Sequence, residues 1–207
     1  MNKTASKKKN IQQVVIIHGG NTHDSVAEFR HELKHEKVEP SDFKRDYVKE
    51  WKDKMPEALG KGYEVFYSKM PNNDSAHYPE WKVWFERLLT YVKPGTVFIG
   101  HSLGGIFLAK YFSEPNKVKD PKAVILVAPP FGVTDFRLPA NTKRLAALGD
   151  KLSIFFSEDD EIVSFQNHYK YRTIAPDAQH YVFTDKGHFI QNSFPEMVKL
   201  VKKITAA

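Results

Sequence analysis

Six short apolar runs, rich in β-branched and aromatic residues and separated by longer amphipathic stretches, constrain the fold more than any other feature. They occupy residues 14–17, 63–67, 96–99, 123–128, 152–156 and 181–183. Most are continuous rather than alternating, the pattern of strands covered on both faces in a parallel sheet. Between them, Phe43, Tyr47, Trp51, Met55 and Leu59 recur every four residues and predict one helical stripe. Trp81, Val83, Trp84, Phe85, Leu88, Leu89 and Val92 predict another, ended by Pro94-Gly95. Ile106, Phe107, Leu108 and Tyr111 start a third directly after a glycine pair, and Met197, Val198, Val201 and Ile204 close the chain. Strand–helix alternation throughout predicts a three-layer α/β/α fold with a mainly parallel, doubly wound sheet of six strands.

The chain has 207 residues, no repeat and no linker-like segment, which predicts one domain over residues 11–207. Lys3, Lys7, Lys8 and Lys9 crowd residues 1–10, which read as a disordered basic tail. The formal charge of +6 falls to about +2 without them, below what a nucleic-acid-binding domain shows. No apolar run approaches the ~18 residues of a membrane span. Without a recognisable targeting segment the expected compartment is the cytoplasm. The absence of cysteine excludes disulfides, a thiol nucleophile and thiolate metal ligation, so covalent catalysis must use oxygen or nitrogen. The stretch from Ile17 to Tyr63 is too long for one crossover helix. Residues 24–40, with Val26, Phe29 and Leu33 on one face, therefore predict an extra helix near the sheet edge where open α/β folds place ligands. It is either a surface decoration or a wall over a pocket.

Gly100-His101-Ser102-Leu103-Gly104-Gly105 lies between a predicted strand and a predicted helix. A G-x-S-x-G sequence in that setting builds a sharp turn that lifts a serine hydroxyl above the sheet edge, over a helix N-terminus that favours negative charge. Serine needs a base. Gly187-His188 follows the last strand and brings an imidazole to the same edge. The acidic stretch 158–161 follows the fifth strand there too, in the chain order Ser, acid, His. Asp159, Asp160, Asp185 and Asp135 are all candidates for the acid.

These motifs resemble the α/β hydrolases, in particular the small serine hydrolases of the retinoblastoma-binding type, over residues 14–203. His18-Gly19-Gly20 resembles the oxyanion loop, Gly-His-Ser-Leu-Gly-Gly the nucleophile elbow, Asp160-Glu161-Ile162-Val163 the acid loop and Gly187-His188-Phe189 the histidine loop. Ser164 stands where that group often has proline. The resemblance implies Ser102 as nucleophile, His188 as base and then acid, and Asp160 as its orienting carboxylate. The N–H groups of Gly20 and Leu103 would form the oxyanion hole. It also implies a sheet of order 2-1-3-4-5-6 without the fold's first two antiparallel strands.

The expected activity is hydrolysis of a small carboxylic ester, thioester or amide through an acyl-enzyme. The expected partner is a small acyl substrate, with no metal or organic cofactor. The rival expectation is a binding module on the same fold with vestigial catalysis. Phe131 and Phe136, in the connection after the fourth strand, are candidate pocket residues, and Tyr78, Trp81 and Trp84 candidate flanks of the same cleft. His18 reads as a loop brace, and His101 as a packing residue turned away from the chemistry. His31-Glu32-Leu33-Lys34-His35 matches the zinc motif H-E-x-x-H. The charged neighbours Arg30, Lys34, Glu36 and Lys37 make it read as a solvated helix face instead.

Overall fold

The computed structural model describes residues 11–40 and 49–206. The tail at residues 1–10 and the predicted stripe residues Phe43 and Tyr47 lie outside them. Six strands form one parallel sheet: β1 (Gln12–Ile17), β2 (Tyr63–Ser68), β3 (Val97–His101), β4 (Ala123–Val127), β5 (Leu152–Ser157) and β6 (Gln179–Phe183). Their order is β2-β1-β3-β4-β5-β6, as the resemblance implies. All five pairings are parallel, with Val14 opposite Val65 on one side and Val97 on the other.

Each face of the sheet buries its own core, which is why the inner strands carry no alternation. On one face, Val15, Ile17, Phe98, Val124, Leu126, Ile154 and Phe156 pack under α3 (Tyr78–Leu88), α4 (Leu103–Ser113) and α6 (Gln166–Ile174). On the other, Val14, Ile16, Val97, Ile99, Ile125, Val127 and Phe155 pack under α2 (Trp51–Leu59) and α7 (Pro195–Ala206). The edge strands differ. Glu64 in β2 and Gln179 and Val182 in β6 face outwards, as expected where one face is wet. Helix α4 is apolar nearly all round, with ten of its eleven residues buried, as befits a helix under the middle of the sheet.

Two expectations need correction. The third helix begins at Leu103 and not after the glycine pair, because Gly104 and Gly105 pack within it. Within α3, Trp81 and Phe85 are buried but Val83 and Trp84 face solvent, so that stripe is narrower than the run of apolar letters suggests. The extra helix exists as α1 (Val26–His35), capped by the Ser25 hydroxyl, but buries no residue. Val26 is 61% and Leu33 58% exposed. Among the described residues, no helix is long and apolar enough to cross a membrane.

Candidate functional site

The site grows from the C-terminal ends of β1, β3, β5 and β6. At the end of β3 the chain turns sharply at Ser102, whose φ of 53° and ψ of −121° are rare for a residue with a side chain. Its N–H donates to the Val127 carbonyl of β4 (2.8 Å), and its carbonyl accepts from Gly105 N–H (2.8 Å), so α4 starts at once. The turn is possible only with glycine on both sides. A Cβ on Gly100 would lie 2.3 Å from the Gly104 carbonyl oxygen, and one on Gly104 2.4 Å from that of Ile17. Leu103 is the first residue of α4, so its N–H has no acceptor inside the helix.

The loop leaving β1 lies over this turn. A Cβ on Gly19 would come within 3.1 Å of the Ser102 Cβ. The loop is held from beneath by residues 70–76. Asn21 N–H donates to the Asn73 carbonyl (2.8 Å), Ala76 N–H to the Asn21 carbonyl (2.8 Å) and Met70 N–H to His18 Nε2 (2.8 Å). The same imidazole contacts the Gly19 carbonyl through Nδ1. Burial pushes its pKa down, so His18 is a neutral ring with the proton on Nδ1. It braces the loop, as the sequence predicts, and also lines the cleft.

His188 follows β6 on a loop in which both neighbours, Gly187 (φ 49°) and Phe189 (φ 54°), have left-handed backbone. Its Nδ1 lies 2.9 and 3.1 Å from the two carboxylate oxygens of Asp160. The Asp160 side chain has no exposure, and its Oδ1 also accepts from the N–H groups of Ile162 (2.9 Å) and Val163 (2.8 Å). The other candidate acids are engaged elsewhere. Asp159 accepts from the Ser157 hydroxyl (2.5 Å) and from Gly187 N–H (2.9 Å), stitching the two loops together. The Ser157 hydroxyl, foremost, holds its carboxyl below the usual carboxylate range. Asp135 accepts from Tyr78 N–H (3.0 Å) and pairs with His77, while Asp185 lies near Lys186 on the surface.

Ser102 and His188 line one cleft of about 710 Å³, together with Gly19, Gly20, Asn21, Tyr67, Lys69 and Ile162. Phe131 and Phe136 do not line it. Phe136 is fully buried, edge-on to Tyr78 and Trp81, and Phe131 packs on the Tyr171 ring. Tyr78 and Trp81 are core, and Trp84 is a solvent-facing residue of α3 outside the cleft lining. The cleft wall comes instead from β2 and from the start of α2, whose Glu50 and Lys52 reach it. Sequence reasoning missed both, because Glu50, Lys52, Asp53 and Lys54 surround Trp51 as charged residues of the kind a helix turns to solvent.

No residue of α1 lines the cleft. In the zinc-like motif, Glu32 pairs with His23 (2.9 Å), and the exposed His31 and His35 rings lie against each other at a tilt of 30°. Among the described residues, no three histidines or carboxylates are placed to hold a metal ion.

The architecture is that of the α/β-hydrolase fold. The same architecture is found in the ydeN gene product of B. subtilis, with a TM-score of 0.67 and 17% identity over 95% of this chain and 100% of that one. Est1E from Butyrivibrio proteoclasticus has a TM-score of 0.59 and 15% identity over 96% and 88%. The family model described as Serine hydrolase matches residues 45–202, and the chain belongs to that family. It is 26% identical over 149 residues to the serine hydrolase RBBP9 of Rattus norvegicus, covering 69% of this chain and 78% of that protein. Membership supports hydrolase activity and leaves the substrate open.

Proposed function

We propose that the protein hydrolyses a small carboxylic ester, thioester or amide through an acyl-enzyme on Ser102. The observation that carries this reading is the short contact of His188 Nδ1 with a buried Asp160, in the cleft that also exposes a serine held at positive φ. With the carboxylate on Nδ1, the free nitrogen is Nε2, the position a general base needs. Ser102 Oγ attacks the carbonyl carbon while Nε2 takes its proton. The N–H groups of Leu103 and Gly20 receive the oxyanion, each typically worth ~3–4 kcal/mol. His188 then protonates the leaving alcohol, thiol or amine. Water, deprotonated by the same nitrogen, releases the acid and restores the serine. Asn21, Ser68, Lys69 and Asn73 in the lining give a bound substrate polar partners.

The test is reaction with a fluorophosphonate, wild type beside Ser102→Ala and His188→Ala, with the adduct mapped by mass. One adduct on Ser102, lost in both variants, is expected. A folded wild type that takes no label would overturn the reading and favour a binding module.

A further inference from the structure

The start of α2 buries an ammonium behind the histidine loop, and the mechanism above does not use it. Lys52 is 3% exposed. Its Nζ donates to the Glu50 carboxylate and lies 2.9 Å from His101 Nδ1. An ammonium only donates, so that nitrogen must be the acceptor of a neutral ring, and the ring proton must sit on Nε2. His101 Nε2 lies 2.7 Å from the main-chain carbonyl of His188 and donates to it. Two neighbouring contacts also come from α2. Trp51 Nε1–H donates to the Phe189 carbonyl (2.8 Å), and Trp51 N–H to the Gln191 carbonyl (3.0 Å).

We infer that Lys52 is a positioning residue for the base: by fixing the tautomer of His101 it holds the His188 carbonyl, and so aims the imidazole at Ser102. The inference rests on the reading of His188 as base. The need for such a clamp is local. The backbone is left-handed on both sides of His188, and Asp160 holds the ring at Nδ1 but not the main chain, whose His188 carbonyl is met by His101. The groups around His101 agree with a neutral ring. Lys52, His188 and His18 face it, and burial followed by the Lys52 charge keeps its pKa well below the ordinary 6.5. Burial pushes the Lys52 pKa down, and the Glu50 carboxylate that shares its ammonium, with Asp53 nearby, acts against that. Since Glu50 is partly exposed, removing Lys52 leaves a carboxylate that water can reach, and the fold should survive.

The absence of any other cysteine allows a clean test. Lys52→Cys places the only thiol of the chain in the cleft wall. Alkylation with 2-bromoethylamine then rebuilds a lysine-like ammonium there, whereas iodoacetamide adds bulk without charge. Wild type treated identically is the control. With a short-chain aryl ester, Lys52→Cys should lose between about ten- and a hundred-fold in kcat with KM within about twofold, the size expected from a slightly misplaced base. Aminoethylation should restore most of it, and the neutral adduct should not.

Unchanged kcat, equal rescue by both reagents, or a rise in KM alone would overturn the inference; the last would make Lys52 a substrate contact. A second readout does not depend on catalysis. In protein labelled with 15N-histidine, the His101 imidazole, assigned from His101→Gln, should show Nε2 protonated and Nδ1 bare. A wild type labelled by fluorophosphonate but with the proton on Nδ1 overturns the clamp alone. A wild type with the expected tautomer and no label at Ser102 overturns the hydrolase reading, and with it the catalytic meaning of the clamp.

Discussion

Replacing Asp160 by asparagine separates charge and tautomer from packing. The carboxylate has no exposure, and four contacts converge on it: two main-chain N–H groups on Oδ1, and His188 Nδ1 near both oxygens. An asparagine oxygen can keep the Ile162 and Val163 N–H groups. Its amide nitrogen must then face the imidazole, and an amide nitrogen only donates. His188 has to offer a lone pair at Nδ1, which moves its proton to Nε2, the atom meant to take the serine proton. The structural loss is one charge-assisted hydrogen bond made neutral, about 1–2 kcal/mol. The catalytic loss is that of a base in the wrong tautomer, about 10⁴-fold in kcat or ~5.5 kcal/mol of barrier. Asp159→Asn is the matched control. Its oxygen can still accept from Ser157 and Gly187, so the loss should stay below about tenfold, since no tautomer changes. The assay is kcat on a short-chain aryl ester with thermal melts of all three proteins. A larger kcat loss in Asp159→Asn than in Asp160→Asn, with both folded, would refute the reasoning.

Gly104→Ala forces a methyl against the Ile17 and His18 carbonyls, at 2.4 and 2.5 Å, and should cost about 1–3 kcal/mol along with most of the activity. Gly62→Ala, which meets nothing within 4 Å, should be neutral or stabilising by up to ~1 kcal/mol in the same melts. Phe136→Ala should destabilise by about 3–5 kcal/mol yet leave KM unchanged, because the ring fills core and not the cleft; a selective rise in KM would return it to the pocket. His18, His101, His168 and His180 all have pKa values lowered, first by burial. The unfolded chain therefore binds protons that the folded one refuses, and stability falls as pH drops below the ordinary histidine value of 6.5. For fully buried His101 the slope is up to ~1.4 kcal/mol per pH unit. Urea titrations at pH 7.5 and 5.5 check it, and equal midpoints would contradict the burial of these rings in neutral form.

Continuous apolar runs determine a doubly covered parallel sheet because each inner strand must satisfy two cores, whereas the order of the six strands came from the resemblance to the α/β hydrolases. The elbow was readable too, since Gly100 and Gly104 are required wherever backbone passes within a methyl's reach of backbone. The order of serine, acid and histidine at one sheet edge followed from the strand ends that carry them. Which of several adjacent acids meets the imidazole did not follow. Asp159 and Asp160 are neighbours in sequence, and only the hydrogen-bonded turn at Ile162–Val163 points one of them inwards. The same limit hid the rest. Phe136 and Trp84 are equally aromatic, but one lies in the core and the other in solvent; Val26 and Leu33 pattern as a buried face that stays exposed; Lys52 reads as solvated and is buried. Periodicity records what a residue can bury, whereas the partner that buries it, here His101 and the histidine loop packed on α2, comes from distant parts of the chain and exists only once the layers have closed.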